Sequence, residues 1–200
     1  MLTLYRAPWS TNVQRVTMAL RHKGLEFESV EISYEDRSPV IEISGQPLVP
    51  VLVDGDEVVA DSMAIVAYLE RRAPDPPLYP ADPARRAEME LFIDWFNRVW
   101  KHEPNAIADA IERGEPVDDQ MVSEMGRRLD RFEELLSDGE YLFGAFSAAD
   151  CCAYPFVKYA AERDPADDEL FHRVLDEQQS VDGRPRLAAW IARVAPRAAG

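Results

Sequence analysis

Asp61 and Ser62 are adjacent polar residues that stand just before apolar residues at helical spacing. Both are helix-capping types, so we expect a helix to begin at about Ser62. The N–H groups at a helix start suit a ligand carboxylate, and the Asp61 carboxylate suits a ligand ammonium. Together the two residues fit the two ends of an α-amino acid.

The backbone of Val49, which precedes Pro50, is a second candidate for binding. X-Pro bonds in tight positions can be cis. A cis bond here would leave the Val49 N–H and C=O free to pair with an extended peptide as an added strand. The segment therefore predicts a site for a small peptide with a free amino-acid end. The alternative is structural: Pro50 opens a strand, and Asp61 and Ser62 only cap a helix.

Ser10 is the candidate for thiol chemistry. Residues 2–5 predict a strand, residues 7–9 a turn and residues 10–22 a helix, so Ser10 lies at a helix N-terminus, where its hydroxyl can donate to an anion. For a ligand thiol with a pKa near ~8.5, one charge-assisted hydrogen bond of roughly 1.5 to 3 kcal/mol would lower the pKa by about one to two units. The alternatives are that Ser10 is only an N-cap, or that Thr11 shares or replaces its role.

The elements that position these residues alternate between strand and helix. Residues 51–53 and 57–60 are β-prone and flank Asp54-Gly55, which predicts a tight hairpin turn. Residues 26–33 alternate as a strand after a helix that ends at Gly24, which completes a β-α-β unit. A proline-rich segment follows at residues 73–80 and predicts a stiff linker.

The rest of the chain shows almost only helical patterns. Predicted helices cover residues 83 to about 113, 118–137, 151–162 and 186–194. Ser147 and Asp150 form a capping box ahead of the third of these helices. We therefore predict an α/β domain at residues 1–73, a linker at 74–81 and an all-helical bundle at 82–200.

Two segments resemble the glutathione S-transferase family. PWSTNVQRV (residues 8–16) is similar to the serine-type active-site segment, closest to the phi class. VPVL (residues 49–52), taken with Asp61-Ser62, is similar to the family's glutathione-binding half. The resemblance spans most of the first 73 residues. It implies a thioredoxin-like N-terminal domain with a mixed four-stranded sheet, followed by a helical C-terminal domain.

The resemblance also implies roles for individual residues. Ser10 would hold the thiolate of glutathione, and Val49 would be the backbone clamp. Pro50 would be the cis proline, and Asp61 and Ser62 would contact the γ-glutamyl group.

Some residues depart from the family pattern. ISGQP (residues 43–47) replaces the usual Asn-Pro-x-Gly lead-in and is closer to glutaredoxin-like relatives, and Leu48 stands where a polar residue is usual. Asp61 stands where Glu is commoner. No His-Lys pair precedes the proline to hold the glycyl carboxylate, and Arg37 is the best substitute.

An apolar stripe at helical spacing, typical of a helix that faces a core, consists of Phe92, Trp95, Phe96, Val99 and Trp100. The family resemblance implies a second role for this helix. Phe96 or Trp100, together with Trp9 beside Ser10, would line a pocket for a hydrophobic electrophile.

Composition and charge exclude several function classes. The net charge of −15, from 37 acidic and 22 basic residues, argues against nucleic acid or an anionic membrane as a partner. The composition is acidic and poor in lysine, with Lys23, Lys101 and Lys158 alone, which fits high-salt adaptation or a GC-rich genome. The sequence holds no metal motif, and the adjacent Cys151 and Cys152 are not a C-x-x-C redox pair. With no secretory or membrane-spanning pattern, we expect a cytoplasmic protein.

The resemblance implies a homodimeric detoxification enzyme that conjugates the thiolate of glutathione to an electrophilic small molecule. Glutathione would be a cosubstrate, and no cofactor is expected. Leu48 and the missing His-Lys pair favour two alternatives: a non-catalytic binding or regulatory protein of the same fold, or a transferase for another low-molecular-weight thiol. A thiol-disulfide reductase would need a cysteine at position 10.

Overall fold

A computed structural model describes residues 1–198, apart from the side chain of Asp138. The strands are β1 (Leu2–Arg6), β2 (Phe27–Glu31), β3 (Val51–Asp54) and β4 (Glu57–Ala60). The helices are α1 (Thr11–His22), α2 (Ser38–Ser44), α3 (Ser62–Arg72), α4 (Pro83–Trp95), α5 (His102–Glu112), α6 (Asp119–Leu135), α7 (Ala148–Val157), α8 (Leu170–Gln178) and α9 (Pro185–Ala198). The chain folds into two compact units, Met1–Tyr79 together with residues 197–198, and Pro80–Pro196.

The N-terminal unit is built on a four-stranded sheet in the order β2-β1-β3-β4. The β1–β2 pair is parallel and the other pairs are antiparallel, so the mixed sheet expected from the resemblance is confirmed. Side chains alternate between the two faces of a strand. Val51 packs with Ile32 and Val40 under α2, whereas the next residue, Leu52, is fully buried on the other face. The helices α1 and α3 pack against each other.

The hairpin and the start of α3 are as the sequence predicts, with Gly55 in the turn at a φ of 62°. The helix α2 was not predicted. It has only seven residues, of which three are β-branched, and it ends at Gly45 with a φ of 74°. So short a segment carries little periodicity, and its start is marked only by a proline in the first turn.

In the helical unit, the single helix predicted from residue 83 to about 113 is wrong. A π-helical segment (Phe96–Trp100) separates α4 from α5. Pro104 lies in α5 without an N–H to donate, and its ring would clash with the Trp100 carbonyl in a regular helix. The Lys101 N–H instead donates to the Phe96 carbonyl at 3.1 Å. Arg128 from α6 donates to the freed carbonyls of Val99 and Trp100.

The helix α7 is buried along its whole length. It begins with the predicted capping box of Ser147 and Asp150, which is confirmed, and Asp150 also accepts from Trp190 Nε1 at 2.8 Å. The helix α8 was not predicted, because it is short and follows an irregular acidic segment. None of the helices within residues 1–198 combines the length and the apolar character that a bilayer span requires.

Candidate functional site

The register of the sheet brings the three predicted parts of the site to one end of the sheet. Tyr5 in β1 pairs with Val51 in β3, and Val51 pairs with Ala60 in β4. The residues just beyond these pairs therefore lie beside one another at the same end of the sheet. They are the turn from β1 to α1, Pro50 before β3, and Asp61 after β4.

Ser10 caps α1, and its Oγ accepts a hydrogen bond from the Val13 N–H at 3.3 Å. A hydroxyl has one proton and two lone pairs, so the cap occupies the oxygen and leaves the proton for another acceptor. Ser10 is partly exposed, whereas Thr11 is only 6% exposed. The geometry therefore favours Ser10 over Thr11 as the hydroxyl that meets a ligand, and it makes the capping and donor roles compatible.

Asp61 caps α3 with one oxygen and presents the other. Its Oδ1 accepts from the Met63 and Ala64 N–H groups, each at 2.9 Å. Within residues 1–198, Oδ2 has no hydrogen-bond partner, and the residue is exposed. Asp61 thus takes two of the N–H groups that the sequence assigned to a ligand carboxylate, and it keeps one oxygen for a ligand ammonium.

Ser62 provides the hydrogen-bonding groups that Asp61 leaves open at the start of α3. Its Oγ accepts from Arg15 Nη1 at 3.3 Å, so its proton is also left for another acceptor. Its backbone N–H makes no hydrogen bond to any described residue. Ser62 is 3% exposed, so only a ligand group lying directly over the helix start could contact it.

The Val49–Pro50 peptide bond is cis, as expected from the resemblance. Just before it, the Gln46 side chain pairs with the backbone of Leu48: Gln46 Oε1 accepts from the Leu48 N–H at 2.7 Å, and Nε2 donates to its carbonyl at 2.8 Å. The Val49 N–H and C=O make no hydrogen bond within residues 1–198 and are left for another partner.

Arg37 is connected to the same end of the sheet by Tyr34. Its guanidinium carbon is 4.6 Å from the centroid of the Tyr34 ring, and the Tyr34 hydroxyl donates to the Pro8 carbonyl at 2.7 Å. Arg37 Nη1 is buried and has no hydrogen-bond partner among the described residues. Tyr34 thus links the Arg37 guanidinium to the turn that leads to Ser10.

Two residues with strained backbone conformations lie at this end of the sheet. Trp9 and Asp61 are the non-glycine residues with positive φ among residues 1–198, at 59° and 76°. Such conformations cost about 1 to 2 kcal/mol each and persist where the surrounding structure enforces them. Both residues lie at the end of the sheet that carries the candidate site.

The predicted electrophile pocket at Phe96 and Trp100 is not supported. These side chains are 0% and 2% exposed, and their rings stack at 4.5 Å in the core of the helical unit. The apolar stripe predicted between Phe92 and Trp100 covers more than one face of the helix. Its other members line a groove of about 700 Å³, with Phe92 and Trp95 of α4 and Val99 of the π-helical segment on one side and Leu135 of α6 on the other. Trp9, the third residue predicted for the pocket, is 42% exposed.

Gln46 and Arg15 were not predicted as site residues, yet they contact Leu48 and Ser62. Gln46 was noted only as part of a segment that departs from a family pattern, and nothing in the sequence pairs it with Leu48. An arginine on the apolar face of α1, between Val13 and Val16, is a signal that could have identified Arg15.

Comparisons with known proteins find matches to both halves of the chain. Residues 4–77 match the family model "Glutathione S-transferase, N-terminal domain", and residues 84–193 match "Glutathione S-transferase, C-terminal domain". The chain is 29% identical over 216 residues to glutathione S-transferase F10 of Arabidopsis thaliana, covering 99% of this chain and 94% of that protein. It is 33% identical over 110 residues to FtsZ-localized protein A of Caulobacter vibrioides, covering 52% and 47%.

A delta-class glutathione transferase from Nilaparvata lugens has a similar solved structure. The TM-score is 0.81 at 20% identity, and the match covers 100% of this chain and 91% of that one. This likeness supports the fold described above.

Proposed function

The chain belongs to the glutathione S-transferase family, and we propose that it is an enzyme that conjugates glutathione to an electrophilic small molecule, with Ser10 as the hydroxyl that holds the thiolate. The single observation that carries the proposal is the sheet register. It places the turn before Ser10, the unpaired backbone of Val49 and the start of α3 at one end of the sheet.

Glutathione would lie across this end of the sheet, with its backbone extended like an added strand. Its γ-glutamyl ammonium would meet Asp61 Oδ2, and the carboxylate beside it would accept from the Ser62 N–H and hydroxyl. The cysteinyl backbone would pair with the N–H and C=O of Val49. The thiol would then point towards Ser10.

Arg37 would hold the glycyl carboxylate. Its buried Nη1 without a partner supports this role, because an unsatisfied guanidinium N–H gains most from a charged acceptor. The chain has no His-Lys pair before Pro50 to do the same work.

The chemistry would be nucleophilic attack by sulfur. The thiol loses its proton to water, the Ser10 hydroxyl donates a hydrogen bond to the thiolate, and a sulfur–carbon bond forms as the leaving group departs with its electron pair. Ser10 supplies electrostatic stabilisation and positioning, since the nucleophile belongs to glutathione. We further propose a hydrophobic electrophile, with the exposed Trp9 beside it, a homodimer, and a cytoplasmic location.

Replacement of Ser10 by alanine tests the proposal. We expect Ser10→Ala to lower turnover of a chloroarene acceptor at least about tenfold, which is the loss of one charge-assisted hydrogen bond, and to leave glutathione binding by calorimetry nearly unchanged. Thr11→Val is the matched control, because it removes the neighbouring buried hydroxyl, and it should keep turnover within about twofold. Equal turnover in Ser10→Ala and the wild type would refute the assignment.

A second candidate is a binding or regulatory protein of the same family without transfer activity. Leu48, which is 70% exposed beside the backbone clamp where the family pattern has a polar residue, favours it. So does the similarity to a relative named for its localisation with FtsZ rather than for an activity. Glutathione that binds at millimolar concentration without turnover of any chloroarene would favour this function over the enzyme.

A further inference from the structure

We infer that Arg15 is a positioning residue for the amino-acid end of the site: it holds the Ser62 hydroxyl so that the hydroxyl proton faces the ligand carboxylate. The inference rests on the proposed function, because it requires Ser62 to contact the γ-glutamyl carboxylate.

The burial of Arg15 is the first observation. Arg15 lies in the middle of α1 and is 2% exposed, among the largest fully buried side chains of the chain. Burial of a guanidinium is costly, and an apolar side chain at this position would fill the same space without that cost. A buried guanidinium therefore has to be paired, and one of the partners of Arg15, Ser62, lies at the candidate site.

The contact with Ser62 is the second observation. Arg15 Nη1 donates to Ser62 Oγ at 3.3 Å, and the contact is buried between α1 and the first residue of α3. Because the hydroxyl oxygen accepts from a cation, its own proton is directed elsewhere, and the cation strengthens it as a donor. The positive charge also adds to the partial charge of the helix start, which favours an anion at that point.

The helix α1 thereby serves both halves of the site. Ser10 caps its first turn, and Arg15 lies five residues later, about 7.5 Å along the axis. Ser10 would act on the thiolate and so on turnover. Arg15 would act through Ser62 and so on binding.

A double-mutant cycle tests this role. We expect Arg15→Met to raise the Kd and KM for glutathione about tenfold, and to leave kcat at saturating glutathione within about threefold. In a Ser62→Ala background, the same Arg15→Met change should alter the Kd less than about twofold, because the group through which it acts is gone.

Arg21→Met is the matched control. Arg21 is in the same helix and carries the same charge, but its Nη1 donates to the Ala198 carbonyl at 2.7 Å, so the Kd should stay within about twofold of wild type. If Arg15→Met does not fold, Arg15→Lys is compared in the same two backgrounds. Equal factors with and without Ser62, or a wild-type Kd in the variant, would overturn the inference while the proposed function stands. A wild type that does not bind glutathione would overturn both.

Discussion

Asp150 gives the helical unit a stability that depends on pH. Its carboxylate is fully buried at the start of α7 and accepts four hydrogen bonds, from the Leu142 N–H, from Trp190 Nε1, and from the N–H and hydroxyl of Ser147. Burial raises the pKa of Asp150 from 3.8 to about 6, because the loss of hydration outweighs the four donors.

The sign of the effect follows from this raised pKa. Between the unfolded pKa of about 3.9 and the folded pKa of about 6, the folded state holds a proton that the unfolded chain releases. The added stability is fully present below the unfolded pKa and is lost as the pH rises through the folded pKa. Linkage gives a fall of about 2 kcal/mol in the free energy of unfolding between pH ~4.5 and ~7.5 from this group.

The assay is urea unfolding followed by tryptophan fluorescence, since Trp95, Trp100 and Trp190 all lie in the helical unit. Asp150→Asn removes the titration and serves as the reference. It should be less stable than wild type at every pH, because its amide nitrogen meets donors. The wild-type advantage should shrink by about 2 kcal/mol from pH ~4.5 to ~7.5. An advantage that grows with pH would mean that the four donors outweigh burial, and would refute the reasoning.

Three further variants test the site and its supports. Gln46→Ala removes two neutral hydrogen bonds of about 1 kcal/mol each to Leu48. It should raise the KM for glutathione roughly threefold to tenfold, and an unchanged KM would show that the clamp does not need Gln46. Arg37→Ala should weaken glutathione binding about tenfold while γ-glutamylcysteine, which lacks the glycyl group, changes less than twofold by calorimetry. Equal losses for both thiols would place Arg37 elsewhere. Arg128→Met removes the donor to the Val99 and Trp100 carbonyls together with the largely buried ion pair to Glu103, and should cost about 3 kcal/mol of unfolding free energy in urea. A cost below about 0.5 kcal/mol would contradict its role at the π-helical segment.

The parts of the fold that could be predicted are those fixed by local chemistry. The hairpin is set by Gly55, the start of α3 by Asp61, and the start of α7 by the box of Ser147 and Asp150. Each of these signals acts within a few residues, so the sequence alone is sufficient.

The rest depended on contacts between distant segments. Pro104 was visible in the sequence, but the π-helical segment also needs Arg128 from another helix to satisfy the freed carbonyls. The division of the aromatic stripe into core and groove is set by the helices packed around it, which periodicity does not reveal. Gln46 and Arg15 act on Leu48 and Ser62 through folded geometry.

The pH titration of the thiol of bound glutathione, followed by ultraviolet thiolate absorption, tests the central claim most directly. We predict that in the wild-type protein the thiol pKa lies about one to two units below its free value of about 8.5. In Ser10→Ala it should return to within a few tenths of the free value. The same thiol pKa in the wild type and in Ser10→Ala would contradict the assignment of Ser10 as the residue that holds the thiolate.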